Sequence, residues 1–286
     1  MKQERWIIKE CSYMKNRKWI ELVAVILAVT CVWLYWMNLK TGYTWDELTS
    51  YGAANSNFTL WMPTHRGEIE LSDIVQENIL GDSFGEFIEN ISTFIKQTIT
   101  GGYKSSELYK FYRQYQTQEY YLYWMDKDDI YNYLTVNRGE RFNILSILVC
   151  DWDDTHPPLY HIVLNAVCSL WPGQISKWFG FLINIFSLWM VCIFVYGTIK
   201  RLGGGHYTGL LTVFLYGMSV GAVSTVIYIR MYAMLTAMVM ALLYQHMRLR
   251  DTNYQLDGKA TFFLILNVVL GYLTQYYFCI AAVAIF

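Results

Sequence analysis

Charged side chains are scarce: Asp, Glu, Lys and Arg make up 16% of the 286 residues and sum to a net charge of -1. With no basic cluster beyond the N-terminus, the chain carries no electrostatic footprint for nucleic acid. The six cysteines (Cys11, Cys31, Cys150, Cys168, Cys192 and Cys279) have neither the paired spacing of a zinc site nor the density of a disulfide scaffold. They read as small buried hydrophobes. Prolines number only four, and the apolar residues, 55% of the total, gather into long uninterrupted blocks. This combination predicts an all-α polytopic membrane protein.

Lys2, Arg5, Lys9, Lys15, Arg17 and Lys18 precede the first apolar block, so residues 1–18 read as a cytoplasmic tail and 19–39 as the first transmembrane helix. No small-x-small cleavage pattern follows that block, which argues against a signal peptide. Residues 40–156 then form an extracytoplasmic loop, too long to be an idle connector. Within it, Ile74, Ile79, Leu80, Phe84, Phe87, Ile88, Ile91 and Ile95 have helical spacing broken near Gly81 and Gly85, which fits two amphipathic helices near the membrane surface. Residues 107–134 are rich in aromatics, including Tyr109, Phe111, Tyr112, Tyr120, Tyr121 and Trp124. They read either as interfacial helices or as a folded cap with an aromatic core. Asn57-Phe58-Thr59 and Asn90-Ile91-Ser92 match the glycosylation sequon, a pattern frequent by chance.

Residues 157–286 begin with a segment, 159–171, that is short for a crossing. The next, 178–199, ends in Lys200 and Arg201, which belong in the cytoplasm. The first of these is therefore expected to be a re-entrant or juxtamembrane helix; a true crossing there would place Lys200, Arg201, Arg248 and Arg250 outside. Crossings over 207–228, 231–247 and 262–273 follow. Gly203-Gly204-Gly205-His206 lies in a short connection and reads as a flexible turn, because it has no phosphate-loop lysine pattern. The sequence stops at Phe286, inside what reads as another span, as expected of the N-terminal portion of a longer or interrupted protein.

This topology puts four polar groups on the external face. Asp46 and Glu47 directly follow the first span; they are either a solvated helix start or a general base at the water–lipid boundary. Asp153-Asp154-Thr155-His156-Pro157-Pro158-Leu159-Tyr160 sets acids and an imidazole against a rigid proline helix start. Asp154 and His156 there are candidates for a phosphate- or sugar-binding rim. Arg230 is the only charged residue between Arg201 and Arg248, and is either a snorkelling side chain or a phosphate contact. Gln275, with Tyr276 and Tyr277, has the simplest reading as part of an interfacial belt.

The order of an acid pair after the first span, Asp-x-His-Pro-Pro-Leu-Tyr, Arg230-Met231-Tyr232-Ala233 and Tyr-Leu-Thr-Gln-Tyr-Tyr resembles the GT-C glycosyltransferases. The likeness is to bacterial relatives of the dolichyl-phosphate-mannose protein mannosyltransferase family, and it covers nearly the whole chain. It implies a GT-C-like transmembrane bundle in the plasma membrane with a large helical first extracytoplasmic loop. It also implies inverting transfer of a sugar from a polyprenyl-phosphate-linked donor to a glycan, lipid or protein acceptor. By this resemblance Asp46 is the catalytic base, Glu47 its catalytic neighbour, and Asp154, His156, Tyr160, Arg230, Tyr232 and Gln275 bind substrate. The family usually carries a His where Gln275 stands. No nucleotide site is required, because the sugar arrives activated. The resemblance fixes no cofactor, and a divalent cation stays open, since the acids and His156 could form a site but have no diagnostic ligand spacing. A transporter or flippase, and an inactive truncated member, are the competing readings.

Overall fold

The computed structural model describes residues 2–58, 74–102, 106, 109–110, 126–151 and 155–286, with no strand among the described residues. Their helices are α1 (Lys2–Leu39), α2 (Trp45–Asn55), α3 (Phe84–Thr100), α4 (Lys127–Leu134), α5 (Ile144–Cys150), α6 (Leu159–Leu170) and α7 (Lys177–Arg201). The chain continues through α8 (His206–Met218), α9 (Val220–Ile227), α10 (Tyr232–Asp251), α11 (Gly258–Thr274) and α12 (Phe278–Ile285).

In α1 the apolar residues cover the whole circumference. Leu22, Ile26, Val29, Trp33 and Met37 recur at helical spacing and are buried, whereas Ile20, Val23, Leu27 and Leu34 point the opposite way and are exposed. The central helix α7 repeats this, with Leu188, Val191 and Cys192 buried and Leu182, Phe186, Met190 and Ile193 exposed. An outward apolar face of this extent is costly in water and costs nothing in hydrocarbon. Among the described residues, Arg17–Leu39 and Lys177–Arg201 are long and apolar enough to cross a membrane, and α8 with α9 adds a third if taken as one span. Residues 231–247 and 262–273 are helical as expected, but α11 is shorter than a full span, and α10 carries Gln245, His246, Arg248, Arg250 and Asp251 in its last turns.

α7 packs most extensively on α10, then on α8, which also lies against α1. Hydrogen bonds define the two ends of this bundle. At one, Lys177 Nζ donates to the Asn38 carbonyl (3.0 Å) and Ile229 N–H to Glu47 (2.8 Å). At the other, Arg201 pairs with Asp251 (2.7 Å) and His206 Nε2 meets Glu21 (2.7 Å). The second end also holds Arg17, Lys18, Lys200, Arg248 and Arg250.

Three expectations need correction. The stretch 207–228 is not one straight crossing: α8 and α9 meet at Ser219 with a bend of 57°. Ser219 is extended and its hydroxyl accepts from Ala222 N–H (3.2 Å), so it starts a new helix. The carbonyl of Gly217, freed at the break, accepts from the buried Trp33 indole (2.8 Å). Trp33→Phe is therefore expected to lower stability by about 1–3 kcal/mol, the usual cost of stranding a buried polar group, as read from thermal unfolding in detergent. An unchanged transition would mean that Gly217 has another partner.

Second, the break in the loop lies at Gly81 (φ +63°) alone, while Gly85 is inside α3. The Ser83 hydroxyl accepts from Glu86 N–H (3.3 Å) and starts the helix ahead of Gly85. Third, the glycine turn after α7 is a built helix end. Gly203 adopts φ +85° and Gly204 N–H donates back to the Ile199 carbonyl (2.9 Å). Phe111, Tyr112, Tyr120, Tyr121 and Trp124 lie outside the described residues.

α6 has 12 residues, about 18 Å at 1.5 Å per residue. Its first end meets Arg230 through His156; at its last, Arg141 Nε and Phe142 N–H donate to Ser169, and Trp171 stacks on Phe179 in the first turn of α7. Both ends thus sit at the same end of the bundle.

Candidate functional site

The site is built outward from the end of α1. Thr44 caps α2 through a capping box: its hydroxyl accepts from Glu47 N–H (3.4 Å) and Thr44 N–H donates to Glu47 Oε2 (2.8 Å). The same carboxylate receives Lys40 Nζ on Oε2 (2.9 Å) and Ile229 N–H on Oε1 (2.8 Å). Glu47 is fully buried and bonded on both oxygens, so it joins the end of α1, the start of α2 and the α9–α10 turn. These bonds occupy both carboxylate oxygens and turn Glu47 away from solvent. The turn fits because Gly180 on α7 lies against Ile229; a Cβ at Gly180 would overlap that side chain.

Asp46, the next residue back, is about 100° around the helix and exposed to solvent. Its Oδ2 accepts from the Tyr228 phenol (2.6 Å). Burial and this bond to a carboxylate both push the Tyr228 phenol above its ordinary value. Tyr228 therefore keeps its proton, and the bond, throughout the neutral range. Tyr232 stacks on Tyr228, with ring centroids 6.0 Å apart and planes 9° from parallel.

Arg230, 7% exposed, is the cationic centre. Nη1 donates to the Asp46 carbonyl (3.2 Å) and the Ser50 hydroxyl (3.1 Å), and Nη2 lies 3.2 Å from His156 Nε2. A guanidinium has donors only, so His156 Nε2 must accept here, with its Nδ1 3.1 Å from the Thr155 hydroxyl. All three acceptors are neutral. Arg230 makes no ion pair with a carboxylate among the described residues, and its buried Nε has no hydrogen-bond partner there.

Asp46, Glu47, His156 and Arg230 thus converge, and Tyr232 joins them through Tyr228. Tyr160 does not stand on a rim: it is fully buried, its hydroxyl unpartnered among the described residues. Gln275 is buried at the end of α11, where its Oε1 accepts from Tyr276 N–H (2.8 Å) rather than bonding the Arg230 group. Asp153 and Asp154 lie outside the described residues.

No family model, no curated protein and no solved structure matches this chain. The site therefore has to be read from its own chemistry. Among the described residues no group of three His, Cys, Asp or Glu side chains is arranged to hold a metal ion. What the arrangement offers is an exposed carboxylate that can accept a proton, next to a guanidinium whose charge no carboxylate among the described residues offsets directly.

Sequence reasoning did not find Ser50, Tyr228 or Lys40. Ser50 carries the clearest signal, since it follows Asp46 by four residues and so shares its helix face. Tyr228 precedes Arg230 by two residues in a non-helical turn, where no periodicity announces a shared direction.

Proposed function

We propose that this chain is a membrane glycosyltransferase that moves a sugar from a polyprenyl-phosphate-linked donor to an acceptor at the extracytoplasmic face, with inversion at the anomeric carbon. The observation that carries the reading is Arg230, a nearly buried guanidinium held by three neutral acceptors beside the exposed carboxylate of Asp46. Asp46 takes the proton from the acceptor hydroxyl as its oxygen bonds to the anomeric carbon. The bond from that carbon to the phosphate oxygen breaks, and the lipid phosphate leaves with its negative charge facing Arg230. His156 keeps the guanidinium in place, and Tyr232 and Tyr228 present aromatic surface to the sugar. The acceptor is a glycan, a lipid or a protein, and the apolar outer faces of α1 and α7 contact membrane lipids.

The basic end of the bundle, with Arg17, Arg201 and Arg250, faces the cytoplasm in this reading, and the Asp46–Arg230 end faces outward. Single cysteines replacing the exposed Trp45 and Leu202 in a cysteine-free background are expected to react with an impermeant maleimide from opposite sides of a sealed membrane. Labelling of both from one side would overturn the orientation.

The function itself is tested with the protein in proteoliposomes supplied with polyprenyl-phosphate-linked sugars and candidate acceptors. The expected result is release of lipid phosphate matched by glycosylated product; absence of both with every donor would reject the transferase. The 57° bend between α8 and α9 favours one other reading, a transporter, since broken helices mark substrate paths. Movement of the intact lipid-linked sugar between leaflets without product would support it.

A further inference from the structure

α7 is apolar through its middle, yet two turns in it carries Asn184, which is fully buried. Its Nδ2 lies 2.7 Å from the Tyr228 carbonyl, 3.1 Å from that of Val226 and 3.4 Å from that of Thr225. The Thr225 and Val226 carbonyls need an outside partner because α9 stops at Ile227 and the last carbonyls of a helix have no intrahelical donor, whereas the Tyr228 carbonyl accepts from Arg230 N–H (2.8 Å) as well as from Asn184. Asn184 and Val226 are both buried, which keeps water from replacing that donor at the Val226 carbonyl. The amide orientation is decided by the same geometry, since a flipped side chain would set its oxygen against three carbonyl oxygens.

The turn held by Asn184 is the one that builds the site. Tyr228 donates to Asp46, Ile229 to Glu47, and Arg230 to the Asp46 carbonyl and Ser50. Glu47 pins this turn from the loop side and Asn184 pins it from inside the bundle. Apolar side chains would fill the space at position 184 equally well, and none could donate.

We infer that Asn184 is a positioning residue of the transferase: it touches no reacting group and acts by fixing the Tyr228–Arg230 turn, so that the phenol reaches Asp46 and the guanidinium stays beside it. This inference rests on the transferase reading for its effect on turnover, and on geometry alone for its effect on the turn.

The test uses Asn184→Leu with fluorotyrosine incorporated at position 228, in purified protein sorted by size exclusion to keep the folded fraction. Turnover per folded molecule is expected to fall by about 100-fold, the scale of a displaced catalytic group, and the fluorine resonance of residue 228 to shift as its phenol loses Asp46. A merely structural role would reduce the yield of folded protein and leave both readouts in the folded fraction unchanged. An unchanged fluorine resonance overturns the inference whatever the activity. If the wild-type protein transfers no sugar, the transferase reading fails by itself, and the fluorine signal still decides the role of Asn184. Should the leucine variant not fold, the isosteric Asn184→Asp, which offers at most one O–H donor, is judged by the same criteria.

Discussion

Asp46→Asn is expected to lower the turnover number by roughly 10²–10⁴-fold, the range that general-base catalysis contributes, with donor affinity little changed. The substitution isolates basicity. Asparagine has the shape of aspartate, its amide oxygen can still accept from Tyr228, and the backbone carbonyl that receives Arg230 is untouched. The helix start loses little, because the capping contacts belong to Thr44 and Glu47. Steady-state turnover with saturating donor, set beside donor binding measured by calorimetry, separates the two effects. Turnover equal to wild type would remove Asp46 as the base, and a loss confined to donor binding would make it a binding residue instead.

Arg230→Lys is expected to cost about 10²–10³-fold in kcat/KM, comparable with removal of a donor that stabilises a developing anion. Charge is conserved in this variant and geometry is not. Arg230 spreads its donors over the Asp46 carbonyl, Ser50 and His156, and keeps Nε in reserve. An ammonium is a point charge without that planar fork. Lysine would have to leave one or more of the three acceptors unpartnered or abandon the phosphate. The measurement is kcat/KM for the lipid-linked donor, with a far-ultraviolet dichroism control for folding. A lysine variant at wild-type efficiency would show that only the charge matters, and an unaffected alanine variant would take Arg230 out of the site.

Much of the site was legible in the sequence because charge in this chain is rare. Arg230 stands out against apolar blocks, Asp46, Glu47 and His156 lie just beside the ends of such blocks, and the positive residues put all four at one end of the bundle. The division of work between Asp46 and Glu47 was less accessible. The Thr44-x-x-Glu47 spacing is a capping signal, and read that way it already turns Glu47 inward and leaves Asp46 in water. The burial of Tyr160 was hidden for a related reason. The rigid His156-Pro157-Pro158 entry predicts where α6 begins, but which face of that helix meets α2 depends on packing that the entry does not encode. Asn184 had a visible signal, a lone amide in an apolar helix, but its meaning required the break after Ile227. That break was itself visible, since the apolar stretch 207–228 ends just before Arg230, but the one at Ser219 falls in a continuous apolar stretch where hydropathy alone reads a single straight helix.

The apolar segment of the first helix is tied down near both of its ends. Lys177 holds the carbonyl of Asn38, and His206 meets Glu21, so the segment Arg17–Leu39 is fastened to the bundle above and below. At 1.5 Å per residue its 23 residues are about 35 Å long, a few ångströms more than the ~30 Å of a typical hydrocarbon core. A free helix absorbs such an excess by tilting. A helix stapled at both ends cannot tilt alone, so in a thin bilayer the lipid must thicken around this protein or the whole bundle must lean together. In the proposed transferase, membrane thickness would then act on the distance between the carrier lipid's phosphate and Arg230, a variable that no substitution in the site controls.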